Sequence, residues 1–355
     1  MGGMRNLECC RIIKLKPSIN NLMDIILHHY EPSPFAEKVR FLLRLKGLPW
    51  KSLEVPVVNK GRITSILTGG YRRIPVMQIG AEFFCDTNLI LRELESRFPT
   101  PEKLGSQNMA LSFIAGWWFD REIFMATASQ IGRGKRGFST KGKPANKAVA
   151  KKPNVQAEIF PGVSLTDFLQ DRAELIGSGP NMKGVGIESD SMLDQLVSNL
   201  QVLEDLLSDG RKFLLSNDRP SLVDAHCWGQ IFFIKNSIPS LLSSFPFILL
   251  WQDRVSKIEG ANDSTPITAD ECVNVAKKAS LPKLSRYSKE LNPNVVVGAQ
   301  ISICPDDYGD FEVVGTLVGS TAYSVTLERF DPSSNRNVYV HFPRAGYYLK
   351  VLSKM

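Results

Sequence analysis

A proline at the head of a short apolar run, a glycine turn, a second apolar run and an acidic helix start constrain this 355-residue chain more than any other feature. The stretch is Tyr71-Arg-Arg-Ile-Pro-Val-Met-Gln-Ile-Gly-Ala-Glu-Phe-Phe-Cys-Asp-Thr87. Pro75 has no N–H to give to a sheet ladder, so it belongs at a strand start or edge, and its X-Pro bond can be cis. Two strands hinged at Gly80 then lead to Asp86 and Thr87, which offer a carboxylate, a hydroxyl and the unpaired N–H groups of a helix start. Such a corner suits a small zwitterionic peptide.

Upstream, Asp24-Ile-Ile-Leu-His28 reads as a strand, and Tyr30-Glu-Pro-Ser-Pro-Phe-Ala-Glu-Lys-Val-Arg40 leads into a helix closed by Gly47. In this order and spacing, residues 24–98 resemble the thioredoxin-like N-terminal domain of glutathione transferases: strand, helix, strand, helix, hairpin, helix. The resemblance implies glutathione as co-substrate and a cis-proline at Pro75. It implies that Val76 pairs by its backbone with the cysteinyl part, and that Asp86 and Thr87 grip the γ-glutamyl end where many members have Glu-Ser. It also implies a hydroxyl or thiol donor before the first helix. Ser33 holds that place, with Tyr30 as a second hydroxyl. The transferase reaction needs a thiolate, and one charge-assisted hydrogen bond of ~1.5–3 kcal/mol is enough to enrich it at neutral pH. Ser33 reads equally as a plain N-cap, with Pro34 at the first helical position. Arg72 and Arg73, beside Pro75, can steer the carboxylates of an anionic tripeptide.

Farther along, Gln107–Ile131 reads as a helix with a bulky apolar face, and Thr166–Leu175 as another. Ser189–Ser208 is a third, with Met192, Leu196, Leu200, Leu203 and Leu207 at three- and four-residue steps. Ser221 and Asp224 have capping-box spacing, and resemble the motif that opens a buried helix in the all-helical second domain of glutathione transferases. From Asn294 the chain turns β-rich over 295–303, 311–319, 323–330, 338–342 and 347–352, which predicts a small barrel or sandwich. The fold expected is thus an α/β thioredoxin-like domain (23–99), an all-helical domain (105–285) with a basic loop at 133–153, and a small all-β domain (294–355), after a flexible tail at 1–22. Ordinary glutathione transferases lack the last unit.

Arg133, Lys135, Arg136, Lys141, Lys143, Lys147, Lys151 and Lys152 have no acid among them and exceed the whole formal net charge of +7. The basic excess is therefore one solvated loop, and without interleaved aromatics it predicts no nucleic-acid partner. No apolar run approaches the ~18 residues of a membrane span. Six scattered cysteines predict a reduced, cytoplasmic protein, and neither they nor His28 and His29, on opposite strand faces, form a metal set. Pro305-Asp-Asp-Tyr-Gly-Asp310 reads as a tight turn. Two functions follow. One is conjugation of glutathione to a small hydrophobic electrophile, with pairing into a homodimer as in many transferases. The other is a non-catalytic transferase-like scaffold that binds a protein partner.

Overall fold

The computed structural model describes residues 24–58, 67–99, 109–131, 162–176, 189–258, 260, 264–284, 295–309 and 311–353. The expected tail at 1–22 and basic loop at 133–153 fall outside them, as does most of the segment where a second thioredoxin-like helix was expected.

Strand β1 (Ile25–His29) leads into helix α1 (Pro34–Lys46), which starts with Pro34 at its first position and ends at Gly47 in the left-handed conformation, φ 60°. A β-carbon is disfavoured there, so glycine stops the helix sharply. Strand β2 (Trp50–Glu54) runs parallel to β1, while β3 (Val76–Ile79) and β4 (Glu82–Cys85) form the hairpin antiparallel to β1. Helix α2 (Thr87–Arg97) follows. Because side chains alternate across a strand, Ile25, Leu27 and Met77 face α1 and α2, meeting Val39, Leu42, Ile90 and Leu94. Ile26, Val76, Phe83 and Cys85 face the other way.

The helical unit contains α3 (Met109–Trp117), a π-helical segment at Trp118–Ile123, and α4 (Phe124–Ile131). It continues with α5 (Leu165–Ile176), α6 (Ser189–Leu207), α7 (Leu222–Ser237), α8 (Pro239–Leu242) and α9 (Pro246–Ser256). Leu196, Leu200, Leu203 and Leu207 of α6 are all buried, against Trp251, Ile231 and Phe119. Helix α7 crosses α1 closely: a β-carbon on Gly229 would lie 2.5 Å from the Pro34 carbonyl oxygen.

Two boundaries differ from expectation. Strand β5 (Ser264–Pro266) and helix α10 (Ala269–Lys278) lie within the stretch assigned to the helical domain, yet they join the thioredoxin-like unit. Strand β5 pairs with β2, and Gln78 Nε2 donates to the Cys272 carbonyl at 3.0 Å. The five C-terminal strands appear where alternation placed them: β6 (Gln300–Pro305), β7 (Val313–Ser320), β8 (Ser324–Asp331), β9 (Arg336–Pro343) and β10 (Tyr347–Ser353). They do not form a separate barrel. Strand β9 pairs in parallel with β4, giving one ten-stranded sheet ordered β10-β6-β7-β8-β9-β4-β3-β1-β2-β5. Ile301, Leu317, Leu327 and Val340 share one apolar core with Val76, Phe83, Cys272 and Ala276. Alternation marks which face of a strand is buried but not what buries it.

Asp224 is more than the expected cap. Its carboxylate accepts from the half-buried Ser221 N–H (2.8 Å) and, inside the helical core, from the Leu214 N–H (2.9 Å) and Trp251 Nε1 (2.9 Å). Removing it strands two buried donors, at ~1–3 kcal/mol each, and a half-buried third. Asp224→Ala is expected to cost at least ~3 kcal/mol in denaturant unfolding, against ~1 kcal/mol for Ser221→Ala. Equal losses would reduce Asp224 to a simple cap.

Candidate functional site

The Ile74–Pro75 bond is cis, and both residues line a cavity between the thioredoxin-like and helical units. Val76, the expected backbone partner, is not at the cavity. It is fully buried and held in the ladder opposite His28 and Cys85. The proline sits at the strand start, as its missing N–H requires, and the ladder takes the residue after it, so Ile74 is left at the cleft.

Asp86 and Thr87 line the same cavity. Asp86 has φ 73°, a left-handed backbone unusual for a residue with a β-carbon, and its side chain accepts from the Asn88 N–H at 2.9 Å. Such strain persists only where the surroundings enforce it, commonly at functional sites. Burial raises the Asp86 carboxyl above the ordinary range, against the pull of the Asn88 N–H.

The second wall is the π-helical segment. Its widened turn sends Asp120 inward and Arg121 across the cleft. Lys38, fully buried on α1, places Nζ 2.7 Å from both Asp120 oxygens and 3.1 Å from His226 Nδ1. Burial would raise the Asp120 carboxyl, but Lys38 and His226 hold it below its usual value. Burial first, and then the neighbouring Lys38, lower His226 to about 4, so its neutral ring accepts from Lys38. Gly116 permits this approach, since a β-carbon there would lie 2.6 Å from His226 Cε1. Sequence reading missed Lys38 and Asp120. They are 82 positions apart, and a lysine within a helix looks like solvent-facing charge.

The third wall comes from the C-terminal strands. Asp307 and Tyr308 from the β6–β7 turn, with Ala345 and Gly346 from the β9–β10 turn, line the cavity. Arg73 pairs with the Asp307 carboxylate and donates to the Tyr308 carbonyl, with its guanidinium 4.0 Å from the Tyr308 ring centre. Arg121 pairs with Asp306. Tyr347 Oη lies 2.9 Å from Tyr71 Oη and donates to Asp86 at 3.4 Å. Burial first, with the nearby Asp86 adding to it, raises both phenols well above the usual tyrosine range, so they are neutral hydrogen-bonding groups. The remaining cavity measures about 70 Å³.

The other candidates lie elsewhere. Ser33 is 1% exposed, its Oγ accepts from the Ala36 N–H at 3.2 Å, and it is not among the cavity-lining residues. Tyr30 is also absent from the lining and packs among apolar residues. Arg72 pairs with Asp171 rather than facing the cleft. Of the expected pocket aromatics, Trp117 lines the cavity, Trp118 donates to Asn199 at 2.9 Å, and Phe124 stacks on Phe233 and meets Phe35 at a tilt. His28 and His29 bond Gln78 and Ser52, and among the described residues no cluster fit to hold a metal occurs.

Residues 27–102 match the model of the glutathione S-transferase N-terminal domain. A GST-like protein from Pseudomonas syringae aligns with a TM-score of 0.68 at 24% identity, over 93% of this chain and all of its own. Residues 27–102 are thus a glutathione S-transferase N-terminal domain, in a chain that shares the fold of that GST-like protein. The part of this chain left outside that 93% is shorter than the five C-terminal strands together, so at least part of the extended sheet belongs to the shared fold. Residues 158–262 match a second model, described as a domain of unknown function. Glutathione S-transferase U4 of Arabidopsis thaliana is 28% identical over 72 residues, which are 20% of this chain and 32% of that protein, so the match spans about a third of the relative's length. A tau-class glutathione S-transferase from mango overlays 66% of this chain and 89% of its own at 14% identity, with a TM-score of 0.46, too loose to bear on the fold. Among the described residues no helix is long and apolar enough to cross a membrane.

Burial lowers His28 to about 4, and burial with the adjacent Arg40 lowers His29 to about 3, as His226 is lowered to about 4. The folded state thus resists protons that the unfolded chain accepts near the ordinary histidine value. Stability is expected to be complete above that value and to fall with pH toward about 4, by roughly 2 kcal/mol per histidine between pH 6.5 and 5. The raised Asp86 and Asp224 carboxyls oppose this only as they gain protons. Urea unfolding at several pH values checks the sign, and stability that is flat or rises on acidification to pH 5 would contradict it.

Proposed function

We propose that this chain binds glutathione in the cleft and passes its thiolate to a small hydrophobic electrophile. What carries the reading is the meeting of cis-Pro75 with the Asp86–Thr87 helix start on one cavity wall, within a matched glutathione S-transferase N-terminal domain. The γ-glutamyl end carries an ammonium for the Asp86 carboxylate and a carboxylate for Thr87 and the N–H groups at the start of α2. The cysteinyl part lies along the backbone at Ile74–Pro75, which faces the cavity where Val76 does not. A free thiol titrates near ~8.5, so its anion needs a positive surrounding. Arg73 and Arg121 line the cleft and supply one, with the N-terminus of α1 adding a field of the same sign. Phe35 and Trp117 give the electrophile an apolar wall. Cytoplasmic detoxification is the setting this chemistry suits, and pairing of two copies belongs to the same reading.

One observation favours the second reading, a scaffold without turnover: about 70 Å³ of cavity is small beside the ~300 Å³ at the low end of ligand pockets. Glutathione titration of the intact chain decides whether the site binds at all. Asp86→Asn keeps the helix cap and is expected to weaken binding at least tenfold, about 1.4 kcal/mol. Unchanged affinity would remove Asp86 from the site. Conjugation of a generic aromatic electrophile then separates enzyme from scaffold, since binding without turnover selects the scaffold. The burial of Ser33 and its bond from Ala36 favour the cap over thiolate contact. Ser33→Ala is therefore expected to cost about 1 kcal/mol of stability while conjugation stays within about threefold. A tenfold fall in conjugation in a folded variant would return Ser33 to the thiolate.

A further inference from the structure

The acidic turn between β6 and β7 meets the cleft as a ligand would. Two arginines from different units line the cavity, Arg73 ahead of cis-Pro75 and Arg121 on the π-helical segment, and both take their counter-ion from the adjacent pair Asp306–Asp307. The Tyr308 carbonyl and ring also engage Arg73. The second turn locks onto the first, because the Asp306 N–H donates to the Gly346 carbonyl at 3.0 Å. Tyr347, just beyond, bonds Tyr71 and donates to Asp86. The same groups that would receive an anionic peptide, Arg73, Arg121 and Asp86, are thus all engaged by these two turns. The frame behind them is fixed by the β4–β9 pairing and the shared core, so opening the cleft requires the turns to move and not the strands.

We propose that Asp306–Asp307 is an internal counter-ligand, whose two carboxylates hold the cleft closed on Arg73 and Arg121 and are displaced by a small peptide that brings two anionic groups to the arginines, a carboxylate and a thiolate. Resting on the reading above, that peptide is glutathione. Anion competes with anion: the second carboxylate and the thiolate of the peptide replace the turn's two carboxylates, so charge at the arginines is conserved between closed and liganded states. A ligand that binds only the open form has its apparent affinity reduced by the open fraction. Weakening the latch therefore tightens binding without adding a contact.

The test compares the full chain with Asp306→Asn/Asp307→Asn, which keeps the shape of the turn, and with Asp307→Asn alone in case the double variant fails to fold. Two readouts are used: hydrogen exchange of the ligand-free proteins, and glutathione affinity. Amides of residues 306–309 and 344–347 are expected to exchange at least tenfold faster in the variants, and glutathione to bind at least tenfold tighter than to the parent chain. Exchange as slow as in the parent overturns the counter-ligand whatever glutathione does. Faster exchange with unchanged, measurable affinity also overturns it, while leaving the glutathione reading in place. Faster exchange with no glutathione binding by any of the proteins supports the latch and rejects glutathione as the peptide that displaces it.

Discussion

The parallel pairing of β4 with β9 is the contact on which the rest of this molecule depends. In a thioredoxin-like unit standing alone, β4 would present an open edge, a row of unpaired N–H and C=O groups that proteins ordinarily cover or blunt. Here Glu82, Phe83 and Phe84 pair with Tyr339, Val340 and His341. The side chains reinforce the seam. His341 stacks on Phe84 with ring centres 4.4 Å apart and 5° between planes, its Nε2 lies 3.2 Å from a Glu82 oxygen, and Arg97 reaches the other Glu82 oxygen at 3.0 Å. Because the strands continue one sheet, one apolar core serves both halves, and the turns at the end of the C-terminal strands are carried to the mouth of the cleft.

The cleft itself is polar to an unusual depth. Lys38 is buried with Asp120 there, and away from the cleft Lys46 is buried with Glu95 at 2.9 Å, each pair tying α1 to a neighbouring element. Burying such pairs costs desolvation that their attraction only roughly offsets, so they are weak contributors to stability and strong constraints on geometry. Lys38 fixes where Asp120 stands, and the π-helical turn that presents Asp120 also presents Arg121 to Asp306. Arg92, between Phe113 (4.3 Å) and Tyr323 (3.7 Å), binds α2, α3 and the C-terminal strands in the same manner.

Much of this was legible in the residues. Alternation in Tyr323-Ser-Val-Thr-Leu-Glu marked a half-buried strand, the three- and four-step leucines marked α6, and the Ser221–Asp224 spacing marked the start of α7. Each of these signals is local, fixed by backbone periodicity or by a side chain reaching three residues. Pro75 and Asp86 were legible for the same reason, one through its missing N–H and the other through its place before a helix. What escaped depends on long-range contact. Nothing in β9 names β4 as its neighbour, and nothing in Lys38 names Asp120. The Asp306–Asp307 turn was read as a turn, which it is, but its meeting with Arg73 and Arg121 follows only from the joined sheet. At the finest scale the ladder decides which side of the proline is free: Val76 is held in it, and Ile74 is left at the cleft.

These parts combine into one account: a thioredoxin-like cleft, widened into a three-walled site by strands grown onto its edge, and filled by its own acidic turn. The most direct measurement is hydrogen exchange on the intact parent chain with and without saturating glutathione. The account predicts that β4 and β9 keep equal protection in the two states, while the amides of 306–309 and 344–347 lose protection when glutathione is bound. Protection at those turns that stays the same or rises with bound glutathione would contradict it.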